Sequence, residues 1–186
     1  MHVTVERFFI SPGHNFFGRR VQPAGTHPTI EPATIRCRAG WGIEGDRFYG
    51  YRPDYNGQIT FCSAETLAAL RTHFALPALS AGVLRRNVLL RGLDLATLIG
   101  RTFTLGGVSF AGTSEARPCH WMNHAVAPGA EEWLKGRGGL RARILTDGEL
   151  ALGAMDLTLT EKISQPNHAA RFIREHPIEL RFEGGV

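Results

Sequence analysis

Two alternating, β-rich runs, Arg101–Leu105 and Val108–Thr113, are separated by nothing but Gly106-Gly107. A two-residue glycine connection lets neighbouring antiparallel strands keep their right-handed twist, so this stretch predicts a β-hairpin. The rest of the chain has the same character. With 22 glycines and 10 prolines in 186 residues it is punctuated too often for a helical bundle. Further strands are expected at 2–10, Ala33–Arg38, Gln58–Cys62, Asn87–Arg91, Leu140–Thr146 and Met155–Thr160, with Asp147-Gly148 as the turn between the last two. In Ala33–Arg38 the residues Ala33, Ile35 and Cys37 share one face.

A helix is predicted from the N-cap Ser63, with Glu65 in its first turn, the stripe Leu67, Leu70, Phe74, and Pro77 as its stop. A short helix over Ala130–Lys135 is halted by Gly136, and a last one near His168–Glu175 is capped by Asn167. Only one helix falls between strands, so the alternation of a parallel sheet is missing. The expected fold class is mainly β (α+β): a mixed, mostly antiparallel β-barrel-like sheet with two or three peripheral helices. Residues 1–160 read as one domain, and 161–186 as a C-terminal helical extension packed on it.

The formal net charge of +4 is too small, and the arginines too scattered, to argue for nucleic acid. Of the 21 cationic residues only Lys135 and Lys162 are lysines; arginine forks suit phosphate and carboxylate, although a compositional bias explains the count as well. Three cysteines do not make a disulfide framework. The N-terminus lacks the basic-then-apolar pattern of a signal peptide, and no apolar run is long enough to span a bilayer. A cytoplasmic protein with reduced thiols and no membrane association is expected.

Three segments could carry chemistry. Directly after the hairpin comes Glu115-Ala116-Arg117-Pro118-Cys119-His120-Trp121-Met122-Asn123-His124. Pro118 stops regular pairing, which sets Cys119 just beyond a strand end, between Arg117 and His120, two groups that favour a thiolate. That thiolate would serve as nucleophile, activated by His120 or His124, as sulfur carrier or as soft-metal ligand; the alternative is a buried cysteine acting as a small hydrophobe. Zinc is disfavoured, since no paired ligand spacing accompanies Cys119, His120 and His124. The second segment, Gly42-Ile43-Glu44-Gly45-Asp46-Arg47, is either a ligand-holding turn or one satisfied by its own side chains. The third, Gly136–Arg143, combines a glycine-rich anion nest with Arg141 and Arg143 on one face of a strand, and Arg85-Arg86-Asn87 adds cations at another strand head. Solvated surface arginines remain the alternative there.

In this order, the Gly-x-x-Gly-Asp-Arg turn at Gly42–Arg47, the Arg-Arg-Asn strand start at Arg85–Asn87 and the Arg117-Pro118-Cys119 segment resemble the molybdenum cofactor sulfurase C-terminal (MOSC) domain family, over roughly residues 3 to 160. Gln58-Ile59-Thr60-Phe61 and Gly92-Leu93-Asp94-Leu95 are similar to standalone bacterial members. The resemblance implies a β-barrel-like fold and a molybdenum cofactor (molybdopterin) whose metal is bound by Cys119. It implies reduction of N-hydroxylated or N-oxygenated small molecules, or sulfur transfer, with an external electron donor or sulfur donor. Arg47, Arg86, Arg141 and Arg143 become candidates for the pterin phosphate, Asp46 and Asn87 for the pterin edge, and Gly45 and Arg117 are further cofactor-binding candidates. The alternatives are a metal-independent cysteine (persulfide) enzyme, with His120 and His124 beside Cys119, and a non-catalytic cofactor carrier. A homodimer is a further expectation. The loop Ser11–Gly18 could line the pocket as a lid or be a surface turn.

Overall fold

A computed structural model describes residues 1–15, 24–53 and 55–162. In chain order the strands are β1 (His2–Phe8), β2 (Thr34–Arg38), β3 (Gly42–Ile43), β4 (Ile59–Ser63), β5 (Val88–Arg91), β6 (Arg101–Leu105), β7 (Val108–Glu115), β8 (Leu140–Ile144), β9 (Gly148–Ala151) and β10 (Gly153–Lys162). The helices are α1 (Ala64–His73), α2 (Trp121–Ala125) and α3 (Ala130–Trp133), with 3₁₀ turns at Ala81–Leu84 and Leu95–Leu98. Seven strands close a barrel in the order β1-β10-β6-β7-β8-β4-β5, with β5 returning to β1. Closure leaves no unpaired sheet edge. The remaining three form a small sheet, β3-β2-β9. The architecture is thus mainly β, mixed, and antiparallel at every barrel pairing but one.

The exception is β4 with β5, which run parallel and are joined through the α1 segment, as a parallel pair requires. Both strands are covered on two sides. Ile59, Phe61, Val88 and Leu90 point into the barrel, while Cys62 and Leu89 join a second core under the helices with Leu67, Leu70, Leu84, Met122 and Leu134. That double burial explains the unbroken apolar run of Val88–Leu90. Inside the barrel, Phe61, Phe103 and Phe110 meet with ring centroids 5.3–6.0 Å apart. Phe103 faces Phe110 directly across the β6–β7 hairpin, whose Gly106 and Gly107 both adopt the positive φ this turn demands (55° and 85°).

Ser63 caps α1, its Oγ accepting from Thr66 N at 3.1 Å. The helix ends at His73, before Pro77 is reached, because Ala75 turns left-handed (φ 53°). Several expectations need correction. Asp147-Gly148 is not a hairpin turn between two barrel strands: β9 intervenes and pairs with β2. Asp147 instead closes the β2 end, accepting from Ala39 N at 2.8 Å and Arg38 Nη1 at 3.0 Å. The segment after Cys119, expected as a loop, holds α2, and α3 stops at Trp133 rather than Lys135. The expected helix near His168–Glu175 lies outside the described residues. Among the described residues no helix is long and apolar enough to cross a membrane.

Candidate functional site

Past the end of β7 the chain runs across one end of the barrel. Ala116 N donates to Gly139 O at 2.9 Å, and Cys119 O accepts from Met122 N at 2.8 Å as α2 begins. Cys119 is therefore held between a strand and a helix, and its side chain is exposed. Arg86 fixes this segment from beneath: its Nε donates to Gly138 O (3.0 Å), Nη1 to Leu84 O (3.1 Å), and Nη2 to Ala116 O and Arg117 O. Burial lowers its pKa to about 10, which still leaves it charged at neutral pH. Gly139 is indispensable here. At φ +96°, a Cβ would lie 2.0 Å from Phe61 O.

A second clamp surrounds Asp46. Its carboxylate accepts from Ser11 N (3.3 Å), Phe48 N (3.1 Å), Arg47 Nη1 (3.3 Å) and Asn87 Nδ2 (3.3 Å). Asn87 in turn accepts from Thr60 N and Thr60 Oγ1 through Oδ1, and its Nδ2 also donates to Phe9 O. The Gly42–Arg47 turn is thus satisfied by its own side chains at Asp46, and the partner it holds out is Arg47. The Arg47 side chain is 9% exposed, its guanidinium sits 5.0 Å over the Phe48 ring, and its Nε is buried without a hydrogen-bond partner.

Arg47 and Cys119 line one cavity of about 230 Å³ together with Arg85, Arg86, Arg117 and Arg141. Five arginines therefore share one cavity with the thiol. Among the described residues the guanidinium groups of Arg85, Arg117 and Arg141 have no acceptor. Arg85 stands in a left-handed conformation (φ 57°) that only a well-determined surrounding sustains in a non-glycine residue. Burial, and then the Arg47 charge, lower its pKa. His14, also on the cavity wall, is lowered by burial and by the charges of Arg47 and Arg85. A second hollow of about 290 Å³ shares Arg47, Arg85, Arg86 and Trp121 with the first.

Of the sequence-selected residues, Cys119, Arg47, Arg86, Arg117 and Arg141 come together. Asp46 and Asn87 lie behind that wall with their polar atoms engaged, and Gly45 (φ 80°) shapes the turn. Arg143, two residues beyond Arg141 on β8, is not among the cavity's lining residues, nor are His120 and His124. His124 is exposed, its ring 5.2 Å from that of Trp121. Of the Ser11–Gly18 loop, Ser11, Gly13 and Asn15 line the second hollow and His14 the first; residues 16–18 lie outside the described residues. Tyr55 carries no signal in the sequence, and Arg85 is named there only as one of the cations of the Arg85-Arg86-Asn87 segment. The Arg85-Arg86 pair signals cations there, but not which of them faces backbone carbonyls and which faces the cavity.

The chain is a closed, mixed barrel whose exposed cysteine shares a cavity with five arginines. The MOSC domain family matches residues 46–155, more than half of the chain, and the chain belongs to that family. Among solved structures, it is similar to the YUAD protein from Bacillus subtilis, at 18% identity and a TM-score of 0.68 over 87% of this chain and 98% of that one. It is also similar to YiiM from Geobacillus stearothermophilus (17%, TM-score 0.63, 86% and 75%) and YiiM from Escherichia coli (16%, 0.59, 85% and 71%). No curated protein matches the chain.

Proposed function

We propose that the chain binds a molybdenum cofactor through Cys119 and, supplied with electrons by an external donor, reduces N-oxygenated small molecules. The observation that carries this reading is the exposed Cys119 thiol in a cavity walled by Arg47, Arg85, Arg86, Arg117 and Arg141. A thiolate suits a metal that already carries dithiolene sulfur, and the guanidinium groups of Arg117 and Arg141, which line this cavity alone, suit the cofactor's phosphate and other anionic oxygens. Among the described residues no group of three or more His, Cys, Asp or Glu could hold a metal. A single protein sulfur suffices, however, where the cofactor's dithiolene brings the others.

When bound, the cofactor would supply two-electron removal of oxygen from nitrogen, with the oxygen leaving as water. The chain's own contribution is to hold. Cys119 offers one sulfur, Arg86 fixes the backbone beneath it, and the other arginines neutralise the anionic guest and exclude competing orientations. Activation of Cys119 by His120 or His124 draws no support from this geometry, because neither ring lines the cavity.

The test is protein purified from a molybdate-replete host. Molybdenum is measured by mass spectrometry, and reduction of a hydroxylamine-type compound is followed with a chemical electron donor. Near-stoichiometric metal, diminished in Cys119→Ser, together with turnover is the expected result. A folded wild-type protein without molybdenum overturns the reading, and metal without turnover leaves a carrier.

A further inference from the structure

We infer that the second hollow is the substrate subsite and that it takes a one-ring, flat apolar molecule bearing a single anionic group, such as an aryl carboxylate. Its place as a substrate subsite rests on the cofactor reading above; its ligand chemistry does not. One lobe is apolar, made by Phe9 just past β1, Val83 of the 3₁₀ turn, and Trp121 and Ala125 of α2, while Ser11, Asn15, Thr29 and Ser80 give the rest of the wall a polar character. At its junction with the Cys119 cavity stand Arg47 and Arg85, which line both.

Among the described residues the Arg47 Nε, on a side chain nine-tenths buried, and the Arg85 guanidinium have no acceptor, while Arg47 Nη1 and Nη2 reach Asp46 and the Arg85 carbonyl. A desolvated guanidinium without an acceptor is costly unless a ligand supplies one. Among the described residues the one carboxylate lining the hollow, Glu31, takes Arg7 at 3.0 Å, and Asp46 behind the wall offsets one of the two cations at the junction, which leaves a net positive charge there. Arg86 contributes charge but spends its donors on backbone carbonyls.

Size decides between ligands of this chemistry. A hollow of about 290 Å³ lies at the small end of ligand sites, enough for one ring and too little for a nucleotide. With the anion at Arg47 and Arg85, the ring fills the apolar lobe and the substituents beside the anion face Cys119.

The probes are benzoate, its neutral isostere benzamide, and inorganic phosphate, titrated calorimetrically into the protein as purified and into Cys119→Ser. Benzoate is expected to bind at least about tenfold more tightly than benzamide, as one charge-assisted interaction implies, and more tightly than phosphate. Arg85→Gln should abolish the preference over benzamide, and Ala125→Trp, which fills the lobe, should weaken both ring compounds. Equal binding of benzoate and benzamide overturns the inference, as does, in molybdenum-loaded protein, phosphate binding as tight as benzoate or exclusion of benzoate. The preference in a molybdenum-free wild-type protein would instead overturn the cofactor reading and the subsite's role, while molybdenum without the preference overturns this inference alone.

Discussion

The Asp46 side chain, 1% exposed, accepts from four donors, while Arg47, which supplies one of them, still leaves its Nε without an acceptor. Removing the carboxylate strands Arg47 Nη1, Asn87 Nδ2 and two backbone N–H groups in a buried place. Asp46→Ala should therefore cost about 3 kcal/mol, read as a lowered urea midpoint. A loss under about 1 kcal/mol would mean the pair behaves as a surface ion pair and the turn does not depend on it. The cysteines divide equally sharply. Burial pushes Cys37 and Cys62 up to about 12, so the folded chain keeps both protonated and enclosed at neutral pH, whereas Cys119 is exposed. Iodoacetamide on native protein, followed by peptide mass spectrometry, should modify Cys119 and spare the other two until denaturant is added. Early labelling of Cys37 or Cys62 would contradict this account of their burial.

Elements place these residues, and the junction of β7, β8 and the 3₁₀ turn at Ala81–Leu84 matters most. Gly139 sits where β8 meets the Phe61 carbonyl of β4. Gly139→Ala therefore faces both a forbidden φ and a backbone clash, a loss beyond about 3 kcal/mol. Gly107→Ala, with positive φ but open space around it, should cost only about 1 kcal/mol. Thermal melts of the two variants check this, and equal losses would contradict it. The same elements show what a sequence can and cannot disclose. The β6–β7 hairpin and the Ser63 cap are local, written in a glycine pair and one hydroxyl, and both were legible. Strand β9 is four residues whose identity as a strand comes only from pairing with distant β2. Helix α2 is one short turn and a half, stabilised by Met122 in the second core rather than by its own propensity. Arg85 and Arg86 are adjacent and chemically identical. Both line the cavity, but Arg86 binds backbone carbonyls whereas Arg85, on a left-handed backbone, has no acceptor among the described residues.

At the scale of the whole molecule, a closed barrel with a helical layer on β4 and β5 turns the ends of several strands toward one place. The turn before β4, the head of β5, the end of β7 and the start of β8 supply Arg47, Arg85, Cys119 and Arg141 from segments far apart in sequence. Rigid scaffolds characteristically present functional side chains on such connections. The membership of the MOSC family follows from the chain itself, and the role assigned to Cys119 is the claim on which the functional account turns. X-ray absorption at the molybdenum edge, on wild-type protein and Cys119→Ser purified alike, tests it most directly. The account predicts that the wild-type metal has one more sulfur neighbour than any metal retained by the variant. An unchanged sulfur shell in Cys119→Ser would contradict it.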